Sequence, residues 1–479
     1  MSRAARHLVL VNPRFQAAVR HVAQTSVGPP LGLAYLAGAV RRAGMRVTIV
    51  DANALGLAPA ETIRRVMALD PDAVGATATT PTVLAAGALL AGVKAANPGV
   101  PTLLGGPHGT HLPARTLAEL PGVDIVFRGE AEESLPRVLD VLATGSTAGL
   151  AGIPGIAWRR GDGGVGDTGV APPSPDLDAL ASPARDLLPM DRYRCPDSDH
   201  FTTLLAMRGC PFPCVYCAVP SVHGARMRFR SPAAVVAEIA EIHARWGTDF
   251  FSFLDDTFTT RRDWVLEFDA GMRAAGLHRT VRWICLTRVD LVDPDLLADM
   301  RAAGCVRVEL GIESGSARGR AFLNKGITPE QVRAAFRMAR AAGLSTMGFV
   351  ILNIPGETRE DIEETFRLAR DADPDFLQVS LLTPYPGTAL HRRAAAEGWI
   401  RTEDWSRYSF LNHAVLANPL FTPAEVRALH RQFLRRFYYR PRTAVKLLRL
   451  LLRGTTRLRP LARTITLGVQ STLGRRGDG

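Results

Sequence analysis

Two long series of alternating β-rich and helical segments constrain the fold of this chain more than any other feature. In residues 7–143 strands and helices alternate five times. The predicted strands are residues 7–11, 46–50, 73–78, 101–105 and 124–127, and the predicted helices are residues 31–43, 60–68, 82–96, 113–120 and 131–143. This pattern predicts an α/β domain with a doubly wound, Rossmann-like sheet.

The second series predicts a barrel. Its strands are residues 202–207, 250–254, 280–285, 307–311, 346–352 and 376–382. Six parallel strands with intervening helices fit a partial or full (β/α)6 barrel, whose chemistry sits at the carboxyl ends of the strands. Five segments are predicted along the chain: a doubly wound domain (7–143), a Gly/Pro-rich linker (144–195), a barrel (196–395), a helical extension (396–440) and a basic tail (441–479). The linker is expected to contain a small hairpin near residues 156–160.

Polar and glycine residues follow the strands of the first domain, at the edge where ligands of such sheets bind. The candidates for ligand contact are Thr77, Thr79, Gly105, Gly106, His108, Gly129 and Glu130. Glycine at this edge lets a large flat ligand approach the backbone closely.

The charge of the chain is concentrated at one end. The net charge is +12, and residues 431–479 contain thirteen Lys/Arg and one Asp, so the remaining body is neutral. A neutral body argues against nucleic acid as a partner. The longest uncharged apolar run, residues 83–93, is shorter than the roughly 20 residues of a membrane span. The N-terminus has no signal-peptide pattern, so a reducing cytoplasm is the expected compartment.

Three cysteines form the strongest local signal. Cys210, Cys214 and Cys217 follow the first barrel strand with C-x3-C-x2-C spacing. Three thiolates on one loop can each hold one iron of a [4Fe–4S] cluster and leave the fourth iron open for chemistry. The alternative is a zinc site completed by His223. Outside this motif the cysteines are Cys195, Cys285 and Cys305, which we expect to be buried small hydrophobic residues.

The cysteine motif, with an aromatic residue before its last Cys, resembles the radical S-adenosylmethionine (radical SAM) superfamily. Residues 254–258, 309–316 and 354–358 fit the same resemblance in order. It implies that the cluster binds S-adenosylmethionine and that one electron cleaves it to a 5′-deoxyadenosyl radical. It also implies that Tyr216 lies against the adenine through its backbone, and that the adenosine and substrate pocket involves Asp255, Asp256, Glu313, Ser314, Pro355 and Gly356. At Asn353 the chain departs from the glycine that relatives often have.

The first domain is similar to that of the cobalamin-binding subgroup of this superfamily. The similar segments are residues 29–36, 105–108, 128–132 and 183–189, and the resemblance covers about residues 7–410. It implies cobalamin as a further cofactor and methylation of an unactivated carbon as the reaction. The alternative is ring formation or rearrangement, as in the related anaerobic magnesium-protoporphyrin ester cyclase. A methylthiotransferase is disfavoured because no Cys precedes Cys195, and a cluster or cobalamin sensor is a remote alternative.

The Asp-x-His-x-x-Gly motif that supplies an imidazole to cobalt is absent. We therefore expect no histidine ligand from that motif, and His108 and His111 are interpreted as polar loop residues. The expected partners are a small-molecule or lipid-like substrate and an electron donor such as flavodoxin or ferredoxin.

The tail combines basic and apolar residues at helical spacing. The basic stripe is formed by Arg442, Lys446, Arg449, Arg453 and Arg457, with leucines between its members. Such a helix can lie on an anionic membrane surface. A helix whose leucines pack on the barrel has the same period, so both interpretations stay open.

Overall fold

The computed structural model of the chain describes residues 7–14, 26–411, 413–443 and 446. Among these residues no helix is both long enough and apolar enough to cross a membrane. Arg449, Arg453 and Arg457 of the predicted basic stripe lie outside the described residues.

The N-terminal domain is built on a seven-stranded sheet with the order β2-β1-β3-β4-β5-β6-β7. Its strands are β1 (His7–Asn12), β2 (Arg46–Asp51), β3 (Ala73–Thr77), β4 (Thr102–Gly105), β5 (Ile125–Phe127), β6 (Ile156–Arg159) and β7 (Val165–Asp167). Its helices are α1 (Leu31–Arg42), α2 (Pro59–Met67), α3 (Val83–Ala96), α4 (Pro107–His111), α5 (Pro113–Glu119) and α6 (Ser134–Leu142). The first five strands are parallel, as predicted for a doubly wound sheet.

Both faces of this sheet are covered, which is why the internal strand β1 has a continuous apolar run from Leu8 to Val11. All six residues of β1 are buried. Leu8 and Leu10 face a core shared with α1 and α6, whereas Val9 and Val11 face a second core shared with α3.

The predicted linker hairpin belongs to this sheet. Strand β6 pairs antiparallel with β5, and β7 pairs antiparallel with β6. Without the hairpin β5 would be an exposed edge, and covering such an edge prevents unwanted pairing with other chains. Strand spacing in the sequence predicts the hairpin but not the partner on which it docks.

The second domain is a half-open barrel of six parallel strands in the order β15-β14-β13-β12-β11-β8. These strands are β8 (Phe201–Leu204), β11 (Phe250–Phe253), β12 (Arg282–Thr287), β13 (Cys305–Glu313), β14 (Ser345–Leu352) and β15 (Phe376–Leu381), and a separate ribbon pairs β9 (Met207–Arg208) with β10 (Arg228–Phe229). The helices are α7 (Val219–Val222), α8 (Pro232–Trp246), α9 (Arg262–Ala274), α10 (Pro294–Ala302), α11 (Ala317–Leu323), α12 (Pro329–Ala341), α13 (Arg359–Ala372) and α14 (Ala389–Ala396).

The chain after α14 ties the two domains together. Trp405 and Tyr408 pack into the second core of the N-terminal domain. The chain then returns to the barrel, where helix α15 (Pro423–Tyr438) begins at a capping box formed by Thr422 and Glu425. His430 and Tyr438 of α15 bond the backbone of β15, so this helix covers the outer edge of the barrel sheet.

Candidate functional site

The three cysteines lie on the loop of residues 209–227, here called the cysteine loop, which connects β9 to β10. The loop carries them into a cavity of about 330 Å³ at the carboxyl ends of the barrel strands, here called the barrel cavity. Cys210 is buried, and Cys214 and Cys217 are half-buried. Burial raises the pKa of Cys214 and raises that of Cys217 to about 12, so metal ligation would have to displace protons from these thiols.

Charged side chains surround the cysteines in the barrel cavity. Asp256 follows β11, and burial raises its pKa to about 6. The ammonium of Lys325 lies 2.5 Å from Oε1 of Glu313, at the end of β13. Gly311 makes room for this ion pair, because a Cβ at this position would collide with Lys325 Nζ and Glu313 Oε1.

Arg288 forms a second cationic wall of this cavity. Its guanidinium lies 3.8 Å from the ring centroid of Phe212 and donates to Asp290 and to the carbonyl of Lys325. Neither Arg288 nor Lys325 was predicted from the sequence. The position of Arg288 directly after a barrel strand is a signal for it, whereas Lys325 reaches the cavity from the loop after α11.

Several residues predicted to contact the nucleoside do not line the barrel cavity. Asp255 is buried and accepts hydrogen bonds from the backbone N–H groups of Ala206 (2.9 Å) and Met207 (2.5 Å), so it fixes the turn after β8. Ser314 is buried and donates to Glu357 over 2.9 Å.

Pro355 and Gly356, which were predicted for the same pocket, do not line the barrel cavity either. Tyr216 and Glu313 do line it. Asn353 adopts the left-handed conformation at φ 67° and donates to the carbonyl of Leu416 over 3.0 Å. It therefore joins the barrel to the segment after α14.

A second cavity of about 290 Å³ lies where the N-terminal sheet meets the barrel, and we call it the sheet-edge cavity. Of the residues predicted here, those that line it are Thr77, Gly105, Gly106, Gly129 and Glu130. A Cβ at Gly105 would meet no protein atom within 4 Å, so this wall leaves open space for a ligand. The barrel side of the cavity includes Leu205, Arg208, Val222, His223 and Leu254.

Thr79 and His108, which were also predicted as ligand contacts, do not line the sheet-edge cavity. Thr79 forms a capping box with Thr82, at the start of a short 3-10 helix. His108 is buried against Trp405, with ring centroids 4.9 Å apart, on the core side of the sheet edge. Burial lowers the pKa of His108 to about 4, so the imidazole is neutral. His111 Nε2 lies 3.3 Å from the hydroxyl of Ser221, and His111 lines neither cavity.

The fourth ligand of the alternative zinc site is engaged elsewhere. His223 Nδ1 lies 3.1 Å from Oε1 of Glu130, and the histidine lines the sheet-edge cavity, whereas the thiols line the barrel cavity. Cys195, Cys285 and Cys305 are buried, as predicted. The arrangement therefore provides three thiols on one cavity, and a glycine-lined, largely apolar cavity beside it.

Comparisons with known proteins match the two domains that carry these cavities. Residues 204–369 match the radical SAM superfamily, and residues 19–139 match the B12 binding domain. An uncharacterized methyltransferase of Pyrococcus horikoshii is 36% identical over 439 residues, which cover 92% of this chain and 94% of the relative. The anaerobic magnesium-protoporphyrin IX monomethyl ester cyclase of Rubrivivax gelatinosus is 32% identical over 388 residues, which cover 80% of this chain and 69% of the relative.

A solved structure shares the fold. The radical S-adenosylmethionine methyltransferase TsrM of Kitasatospora setae, determined with cobalamin and a [4Fe–4S] cluster bound, superposes with a TM-score of 0.67 at 19% identity. The match covers 83% of this chain and 76% of that chain. The predicted order of a Rossmann-like domain and a partial barrel is confirmed.

Proposed function

This chain belongs to the cobalamin-binding radical SAM family, and on that premise we propose that it methylates an unactivated carbon atom of a small, largely apolar substrate. Its cofactors are a [4Fe–4S] cluster, S-adenosylmethionine and cobalamin. When bound, they supply a 5′-deoxyadenosyl radical that removes a hydrogen atom from the substrate, and a methyl group that replaces it. The observation that carries the proposal is that one loop presents three thiols to the barrel cavity and also forms a wall of the sheet-edge cavity.

We assign the cluster to Cys210, Cys214 and Cys217. Three charged groups of the barrel cavity, Asp256, Glu313 and Lys325, would orient the polar part of S-adenosylmethionine. Tyr216 packs beside a small hydrophobic cluster that includes Ile351, and this supports a position next to the adenine.

The substrate class follows from the part of the barrel cavity farther along the sheet. Its walls contain Phe349, Leu382, Tyr385 and Phe410, with Gln378 and Ser380 as the nearby polar residues on β15. Apolar walls with a few polar groups favour a substrate with a hydrocarbon body and few hydrogen-bonding groups. A lipid-like molecule fits this description.

The decisive experiment is anaerobic turnover with methyl-labelled S-adenosylmethionine and an extract that contains candidate substrates. We expect a labelled product and release of 5′-deoxyadenosine. The C210A/C214A/C217A variant should bind no cluster and release no 5′-deoxyadenosine. A triple variant that keeps the iron–sulfur absorption would contradict the assignment of the ligands.

A radical cyclase is the second candidate, because a cyclase from Rubrivivax gelatinosus is among the similar relatives. The labelling experiment separates the two reactions. Methyl transfer places the label in the product, whereas cyclisation forms an unlabelled product while 5′-deoxyadenosine is still released. A protein that binds the cofactors without releasing 5′-deoxyadenosine would be a sensor.

We further propose that cobalt receives no histidine from the N-terminal domain. Among residues 7–14 and 26–143, the histidines are His7, His108 and His111, and none of them lines the sheet-edge cavity. The cob(II)alamin form should therefore show no axial nitrogen splitting in electron paramagnetic resonance. A splitting that disappears in His108→Ala or His111→Ala would contradict this proposal.

The one-electron donor is proposed to be flavodoxin or ferredoxin, which would approach the exposed Pro211 and Pro213 of the cysteine loop. Reduction of the cluster by each protein can be followed by electron paramagnetic resonance. A cluster that accepts electrons from dithionite but from neither protein would argue against both donors.

We also propose that the protein works in the cytoplasm, where a reducing environment protects the thiols.

We propose in addition that the tail contacts anionic membranes. The basic composition of residues 447–479 supports this contact. Vesicle co-sedimentation of R449Q/R453Q/R457Q should show weaker binding than the unmodified chain. The control R64Q/R65Q/R401Q removes the same charge from exposed positions. Equal losses in both variants would indicate a general charge effect and no docking by the tail.

A further inference from the structure

The base of the cysteine loop places two like charges opposite each other. In the ribbon that closes the loop, Arg208 of β9 is paired directly with Arg228 of β10. Both side chains are buried. Like charges at such a position repel, and burial strengthens the repulsion because the surroundings screen it less than water does. A ribbon of two residues per strand has few hydrogen bonds to oppose this repulsion, so its closure requires an anion.

The anion comes from the N-terminal domain. Glu130, in the segment after β5, accepts hydrogen bonds from Arg228 over 2.6 and 2.9 Å and lies 3.2 Å from Arg208. Glu132 accepts a hydrogen bond from Arg208 over 2.6 Å. Burial alone would raise the pKa of Glu130, but hydrogen bonds from Arg228 and His223 and the charge of Arg208 lower it well below its usual range. Two carboxylates of one domain thus neutralise two arginines of the other.

The same loop forms part of both cavities. Its three cysteines line the barrel cavity, whereas Val222 and His223 line the sheet-edge cavity together with Arg208. Glu130 also lines the sheet-edge cavity and holds His223 Nδ1 at 3.1 Å. A change in the closure of the loop would therefore alter both cavities at once.

We propose that Glu130 is a positioning residue that couples the two cofactor sites. By bridging Arg208 and Arg228 it holds the cysteine loop closed, so that an assembled cluster strengthens cobalamin binding and bound cobalamin slows the loss of iron. The inference rests on the proposed function only for the identity of the two occupants. The two occupants change each other's binding free energy by the same amount, and we expect tighter binding of the cluster to appear as slower loss of iron.

The test is a cobalamin titration of the full chain with the cluster reconstituted and with the iron removed. We expect the dissociation constant of hydroxocobalamin to be about five- to fiftyfold lower in the presence of the cluster. Glu130→Gln keeps the shape of the side chain but removes its charge, and its two dissociation constants should be nearly equal. The double variant E130Q/R228Q removes one of the opposed cations as well and should regain part of the coupling.

Glu133→Gln is the matched control, because it removes an exposed carboxylate three residues away and should keep the coupling of the unmodified chain. An E130Q variant with an unchanged ratio of dissociation constants would overturn the proposal, as would a double variant with no more coupling than E130Q. A purely structural role would lower the melting temperature of E130Q and leave that ratio unchanged.

If E130Q does not fold, the cobalamin titration of the unmodified chain still tests the coupling of the two sites. A cobalamin affinity that is the same with and without the cluster, together with iron release that cobalamin does not slow, would overturn the coupling. Methyl transfer is not measured in either assay. An enzyme that binds both cofactors with coupling but forms no methylated product would therefore contradict the proposed function alone.

Discussion

The ammonium of Lys446 lies 2.8 Å from Oδ2 of Asp373, the residue that follows α13 in the left-handed conformation. Arg340, Arg440 and Arg442 lie 3.6, 3.8 and 3.1 Å from the same buried carboxylate. Four cations thus converge on one anion, and the tail begins in contact with the barrel. Of the two interpretations of the tail, packing on the barrel is the one that Lys446 follows, because its ammonium contacts Asp373.

We expect Asp373→Asn to destabilise the protein by about 2–4 kcal/mol, because it leaves several cations close together without their carboxylate. Asparagine tolerates the left-handed conformation, so the backbone is not the cause. Urea unfolding measures the free energy. The control Asp371→Asn removes an exposed charge of the same helix and should cost less than about 0.5 kcal/mol. Equal effects of the two substitutions would contradict a special role for Asp373.

A side chain at position 105 should block cobalamin without affecting folding. Gly105→Val places its methyl groups in the open space of the sheet-edge cavity. We expect at least about tenfold weaker cobalamin binding, and a change of less than about 0.5 kcal/mol in the free energy of unfolding. Absorbance titration and urea unfolding measure the two quantities. Gly152→Val is the control, since a Cβ at position 152 also has no neighbour within 4 Å but this position lies outside both cavities. Equal loss of cobalamin affinity in the two variants would be evidence against binding in the sheet-edge cavity.

A methyl group at Gly311 should separate Lys325 from Glu313, because it would occupy the space of their ion pair. We expect release of 5′-deoxyadenosine to fall by about tenfold or more, since small displacements of positioning groups have large effects on rate. Lysine can move away at low cost, so the free energy of unfolding should change by no more than about 1 kcal/mol. Lys325→Met should reproduce the loss of rate. Full activity of Gly311→Ala would show that the ion pair does not position S-adenosylmethionine.

The strands of both domains could be predicted because hydrophobic patterning is local. Every predicted strand overlaps an observed one, including the fully buried β1. Short elements without a strong pattern were missed, such as α4 and the ribbon of β9 and β10. A two-residue strand carries no period, so only the tertiary pairing of Arg208 with Arg228 defines it.

The residues of the candidate site could be predicted from the sequence only where they belong to a short sequence motif. The cysteine spacing placed three thiols on one cavity, as expected for ligands that follow a barrel strand. Lys325 was missed because it reaches Glu313 from a different loop. Glu130 was predicted as a ligand contact, but its partners, Arg208 and Arg228, are 78 and 98 residues away in the sequence. Ion pairs between distant segments leave no periodic signal.

The buried carboxyl group of Asp269 should make the stability of the protein depend on pH. Both carboxylate oxygens are buried on α9 without a hydrogen-bond partner among the described residues. Burial raises the pKa of Asp269 to about 8, Arg273 opposes this shift, and Asp299 adds to it. In the unfolded chain the pKa of an aspartate is about 3.9.

Between these two pKa values the native state holds a proton that the unfolded state has lost, so the contribution of Asp269 to stability falls as pH rises from about 4 to about 8. Asp269→Asn has nearly the same shape and cannot ionise. Its free energy of unfolding should be close to that of the unmodified chain near pH 4 and exceed it by about 3–5 kcal/mol at pH 8.5. Urea unfolding at several pH values measures the difference, with the exposed Asp295→Asn as a control that should show no such gain. A difference between Asp269→Asn and the unmodified chain that stays constant from pH 5 to pH 8.5 would mean that Asp269 does not titrate in this range.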